Sequence, residues 1–152
     1  MKRQQGFSLI ELLIVVAVIG IIAAIAVPNL MRSRDAAQEA SAISSLRTLA
    51  TAEVTFAATQ GNGQFGDLGE LQAAGLIDEA LAGGSKDGYS FTMGDTPAAF
   101  SIGAEPTSPN AAQMRYFFVD QSCVIRFNQG GAADASSTPL GGTAADAGGG
   151  SM

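Results

Sequence analysis

Residues 6–28, GFSLIELLIVVAVIGIIAAIAVP, constrain this chain more than any other stretch. The sixteen residues from Leu12 to Val27 carry no charge and no polar side chain. Extended back to Phe7, the run is 21 residues, interrupted only by Ser8 and Glu11. A helix of that length spans about 31 Å, enough to cross a bilayer. Lys2 and Arg3 lie just ahead of it. The positive-inside bias places the N-terminus in the cytoplasm and everything after Pro28 on the other side.

Glu11 breaks the pattern of a plain anchor. A charge at the centre of a membrane helix costs roughly 2.5–3.5 kcal/mol on insertion scales, less near an end where it can snorkel. No Lys or Arg occurs between Arg3 and Arg32. A free amine at Phe7, released by cutting after Gly6, supplies a cation. Within one chain Phe7 and Glu11 are four apart and share a helix face. Between two chains the same pair sets axial register.

Gly6-Phe7-Ser8-Leu9-Ile10-Glu11-Leu12-Leu13, followed by an apolar run and Pro28, resembles the N-terminus of type IV pilins and pilin-like proteins. The resemblance is strong over about the first 35 residues. It implies cleavage after Gly6 by a prepilin peptidase, N-methylation of Phe7, and an assembly role for Glu11. In that family the glutamate neutralises a neighbouring subunit's terminal amine in the filament core. The resemblance also implies an inner-membrane assembly platform with its ATPase as partners. It further implies a stretch from Gly20 to Pro28 that unwinds on assembly; both residues are weak points in a helix.

Four segments are expected: a leader at 1–6, a membrane and filament-core helix at 7–28, a globular head at 29–128, and a flexible Gly/Ala-rich tail at 129–152. The full chain carries a net charge of −6. Without Lys2 and Arg3 it has 6 basic side chains against 14 acidic, a charge of −8. Such a surface disfavours nucleic acid and anionic lipid as partners. Cys123 is the only cysteine, so no intrachain disulfide forms, unlike many type IV pilins.

Beyond Asn29 the pattern turns amphipathic. Ile43, Leu46, Ala50, Val54 and Ala57 fall on one face, widened by Leu49 and Phe56, with Glu39, Arg47 and Glu53 off it. One helix is expected from Phe7 to about Ala58, its second half packed on a head. Gly61–Gly66 fits G-x-G-x-x-G, but a helix precedes it, so it reads as a turn with a capping glycine. Asp67 and Glu70 form a variant capping box for a short helix. Glu70, Asp78 and Glu79 read as solvated charges, since they lack calcium-loop spacing.

Four strands are expected: Gly88–Met93, Ala98–Ala104, Arg115–Asp120 and Val124–Phe127. Gly94–Pro97 is read as a turn, and Asp120–Cys123 as the last connection. The fold class is therefore α+β, a long helix against a small antiparallel sheet. The blocks Gly88–Phe91 and Tyr116–Asn128 also resemble the C-terminal sheet of small pilin-like proteins, where a glycine commonly stands at the position of Cys123. Cys123 reads as a buried small hydrophobe, with an exposed thiol as the alternative.

The chain has no histidine, no C-x-x-C and no Walker loop, which removes the common nucleophile, metal and phosphate arrangements. No enzymatic activity, cofactor or metal is expected. The expected function is a structural subunit of a homopolymeric type IV pilus-like filament. It starts in the inner membrane and ends in an extracellular filament or a periplasmic pseudopilus. A type II secretion pseudopilin or a minor pilin is the near alternative; a monomeric membrane-tethered binding module is the distant one.

Overall fold

The computed structural model describes residues 7–96 and 98–141. The expected leader and its Gly6, Pro97 of the expected 94–97 turn, and residues 142–152 of the expected tail lie outside these. The chain divides into two compact units at Ala36/Ala37.

Helix α1 runs Leu9–Thr59, 51 residues, with Pro28 inside it. It begins two residues later than expected. The Ser8 carbonyl accepts from the Glu11 and Leu12 amides at 3.1 and 3.3 Å, and this satisfies donors of the first turn. In the first unit every side chain from Phe7 to Arg34 is exposed.

The second unit builds a core under the rest of α1. Ala42, Leu46, Leu49, Ala50 and Ala52 are buried in one cluster with Tyr89, Phe91, Phe100, Ile102, Phe117 and Val119 of the sheet. The buried face differs from the expected stripe. Leu46, Leu49 and Ala50 lie in it, but Val54 is 49% exposed and Glu53 is completely buried. Three alanines and two leucines of the helix thus share the core with the large aromatic side chains of the sheet.

After α1 come α2 (Leu68–Ala73) and α3 (Glu79–Ala82). Asp67 caps α2 with the expected reciprocal box: its side chain accepts from the Glu70 amide at 2.8 Å, and the Glu70 side chain accepts from the Asp67 amide at 3.0 Å. Asp78 is not merely solvated. It caps α3 through the Leu81 amide and pairs with Lys86 at 2.7 Å.

The sheet is an antiparallel meander of six strands in chain order: β1 Ser85–Lys86, β2 Tyr89–Thr96, β3 Ala99–Pro106, β4 Arg115–Asp120, β5 Arg126–Gln129 and β6 Thr138–Pro139. The four longer strands match the expected blocks, with shifted ends. The two-residue edges β1 and β6 are too short to show an alternating pattern. Along β3, Phe100, Ile102, Ala104 and Pro106 point inward and alternate with more exposed neighbours. Ala104 stands opposite Phe91 and Phe117, so a small side chain is flanked by two large ones.

Three local expectations change. Gly94–Thr96 is not a turn but the end of β2, paired as Gly94 with Ser101 and Thr96 with Ala99. A Cβ at Gly94 would come within 2.7 Å of the Ser101 Oγ, which donates to the Gly94 carbonyl. Cys123 is exposed, not buried. It closes the turn after β4 at φ +56°, with its amide on the Asp120 carbonyl at 2.8 Å. That left-handed geometry suits glycine, and it delays β5 to Arg126. Finally, the stretch from Gln129 contains ordered structure up to Gly141: β6 pairs with β5, and Leu140 packs on the core.

Candidate functional site: the exposed apolar helix and its glutamate

The candidate site begins at the first turn of α1. Phe7 is 89% exposed and precedes the first helical residue. Glu11 lies in the first turn, where the positive end of the helix dipole favours a carboxylate. Among the described residues Glu11 forms no ion pair.

Sixteen large apolar side chains from Phe7 to Met31 are exposed. Covering a side chain of that kind is worth ~1.5–3 kcal/mol, so the set represents roughly 25–50 kcal/mol of uncovered surface. That exceeds the whole stability of an ordinary domain, ~5–15 kcal/mol. A helix apolar all round is stable only in lipid or surrounded by protein. Among the described residues α1 is the one helix long and apolar enough to cross a membrane.

Gly20 and Pro28 punctuate this surface. Among the described residues a Cβ at Gly20 would meet nothing within 4 Å. Pro28 lacks an amide donor, and the helix continues through it with one hydrogen bond fewer. Gly6 lies outside the described residues.

Two polar contacts in the second unit escaped sequence reasoning. Glu39 receives the Arg115 amide at 2.9 Å and the Arg115 guanidinium at 2.8 and 2.9 Å. Glu53 accepts from the Gly66 amide at 3.1 Å and ties the 61–66 loop to α1. Glycine is required in that loop because a Cβ at Gly66 would fall 2.8 Å from the Phe56 ring. The G-x-G-x-x-G stretch thus lies between two helices and packs on Phe56, with no preceding strand to form a phosphate site. Long sequence separation hides the first contact. For the second, an isolated Glu in an alanine-rich face was the only signal.

Three carboxyls outside the apolar helix are held below their ordinary value. The Lys86 ammonium and then the Leu81 amide lower Asp78; the Ser122 hydroxyl lowers Asp120; the Ser136 hydroxyl and amide lower Asp134. All three stabilise turns or caps. Among the described residues no three His, Cys, Asp or Glu side chains gather into a metal site.

Residues 1–27 match the family model of the prokaryotic N-terminal methylation motif. The chain is 48% identical over 54 residues to the type IV major pilin protein PilA of Myxococcus xanthus, covering 36% of this chain and 24% of that protein. It is 52% identical over 52 residues to a fimbrial protein of Pseudomonas aeruginosa, covering 34% of each. It is 39% identical over 51 residues to the type II secretion system core protein G of Aeromonas hydrophila, covering 34% of this chain and 36% of that protein. The matches therefore span about a quarter to a third of these relatives. No solved structure matches the chain significantly.

Proposed function

We propose that this chain is a structural subunit of a type IV pilus-like filament. The observation that carries this reading is the methylation motif over residues 1–27, continuous with an apolar helix that is exposed among the described residues. The motif and the helix fit anchoring in the inner membrane. Cleavage after Gly6 by a prepilin peptidase frees the Phe7 amine, which is then methylated. The incoming subunit brings Glu11 as a desolvated acid from lipid. Pairing with the amine of a neighbour relieves the desolvation and sets the axial step. Head-to-tail repetition that does not close gives a filament. Gly20 and Pro28 let the helix between them lengthen as it leaves lipid. Phe7 and Glu11 act in processing and assembly rather than catalysis. The assembly platform and its ATPase are the implied partners.

A second reading has support of its own. The likeness to type II secretion core protein G favours a periplasmic pseudopilus built by the same chemistry. Intact mass and N-terminal peptide mapping of sheared extracellular filaments from the native host separate the two. A dominant chain that starts at methylated Phe7 supports the pilus reading. A processed chain confined to the inner membrane supports the pseudopilin or minor-pilin reading. A chain that still starts at Met1 sinks both and leaves a tethered module.

A further inference from the structure

A cavity of about 480 Å³ lies in the second unit, lined by α1 and by the segment from Gly75 to Lys86. That volume falls within the range of small-molecule sites, ~300–1,000 Å³. Leu76, Ile77 and Leu81 supply an apolar wall, and Ile77 and Leu81 belong to the buried core. Four hydroxyl side chains come from α1: Ser41, Ser44, Ser45 and Thr48. Two of the four are used inside the fold. Ser41 donates to the Asp87 carboxylate, and Thr48 donates to the Ser44 carbonyl at 3.1 Å.

The hydroxyls of Ser44 and Ser45 form no hydrogen bond among the described residues. Ser44 is exposed, but Ser45 is only 4% exposed. A hydroxyl withdrawn from water without a partner costs stability, and alanine is the better helix former. Packing therefore gives no reason for an oxygen at position 45. A ligand in the cavity does.

The charges select the class of ligand. Asp78 and Lys86 both line the cavity and pair with each other at 2.7 Å. The lining thus carries no net charge. A phosphate or a metal cation would have to compete with that pair, whereas a neutral ligand leaves it intact. Each free serine both donates and accepts, which matches the hydroxyl groups of a ligand. Leu76, Ile77 and Leu81 match C–H surface.

We infer that this cavity binds a neutral polyhydroxylated ligand of monosaccharide size, with Ser44 and Ser45 bonded to its hydroxyls. Every lining residue lies beyond Ala37, so the inference stands apart from the polymer reading.

The test uses the full chain, unassembled, in a detergent without a sugar headgroup. Saturation-transfer NMR is recorded with the methyl glycosides of glucose, galactose and N-acetylglucosamine, and phosphorus NMR with inorganic phosphate. Transfer to at least one glycoside is expected, with no broadening of phosphate. Ser45→Ala should weaken glycoside binding about fivefold, the loss of one hydrogen bond, and Ser44→Ala should weaken it as well. Ser45→Ala should also raise the unfolding temperature by about 2–4 °C, read by tyrosine fluorescence, because the fold loses an unpaired hydroxyl. No transfer to any of the three glycosides overturns the inference, as does binding of phosphate alone. Glycoside binding that Ser45→Ala leaves unchanged overturns it too. A lowered unfolding temperature in that variant would show that the hydroxyl serves the fold and would overturn it as well. None of these outcomes bears on filament assembly.

Discussion

Glu39 of α1 and Arg115 of β4, 76 residues apart in sequence, are joined by three contacts of 2.8–2.9 Å. The carboxylate holds a backbone amide as well as the guanidinium. Arg115 also lies 5.5 and 5.4 Å from the centres of the Phe117 and Phe127 rings. The helix is thereby tied to the sheet at one end of the core. The Glu39 side chain is only 15% exposed, so this pair is screened less than a surface bridge. Glu39→Ala should destabilise the fold by about 1–3 kcal/mol, because it also orphans the Arg115 amide. A double-mutant cycle with Arg115→Ala, read by denaturant unfolding, should give a coupling of about 1 kcal/mol. Additive single-site effects would refute the clamp.

Glu53 holds the 61–66 loop by accepting the Gly66 amide. Glu53→Ala removes a buried acceptor and leaves a cavity, at an expected cost of about 2–4 kcal/mol. Glu53→Gln keeps an acceptor oxygen of similar shape and should cost less. Thermal unfolding of the two variants checks the order. Hydrogen exchange at Gly66 should rise in the alanine variant alone.

On the proposed filament role, Glu11→Ala should leave cleavage after Gly6 intact and reduce filament yield at least about tenfold, since that role pairs the acid with a neighbouring amine. Mass spectrometry of the membrane fraction reads the cleavage, and sheared filaments read the yield. A wild-type yield from this variant would remove Glu11 from the mechanism.

Asp78 gives the head an acid-sensitive contact. Its carboxyl is held below 3.8 by Lys86 and the Leu81 amide in the folded chain. Near that pH the folded state binds fewer protons than the unfolded state. The stabilisation is complete above the unfolded value and disappears as pH falls through the lower folded one. Asp78→Asn retains a capping oxygen but not the pairing with Lys86. Denaturant titrations at pH 6 and at about pH 3 should show a smaller acid loss in the variant than in the wild type.

Cys123 should react with a thiol reagent in the native fold at a rate close to that of the unfolded chain, because the side chain is exposed. Strong protection lifted only by denaturant would contradict its position in the turn.

Much of the architecture was legible from local chemistry. The alternation of Tyr89, Phe91 and Met93 marks β2, and the run Arg115–Asp120 marks β4 to the residue. Asp67 and Glu70, three apart, announce the α2 cap. The less legible parts depend on pairing between distant residues. β1 and β6 have two residues each and exist only because β2 and β5 offer free edges. The Gly94–Thr96 segment has turn composition but is held as strand by Ser101, Phe100 and Ala99 opposite it.

The sequence by itself determined the candidate site. A 21-residue apolar run with one acid, a preceding glycine and a proline just after it is a local pattern, and its meaning does not depend on what folds beyond it. Only the tertiary structure decided which face of α1 is covered. Hydrophobic periodicity placed Val54 inside and Glu53 outside, and the fold reverses them. A burial face is chosen by the shape of the opposing surface and by whether a buried polar group finds a donor. The Gly66 amide, thirteen residues away, supplies that donor. The same choice buries Ser45 at the edge of a cavity, a placement that composition alone does not single out.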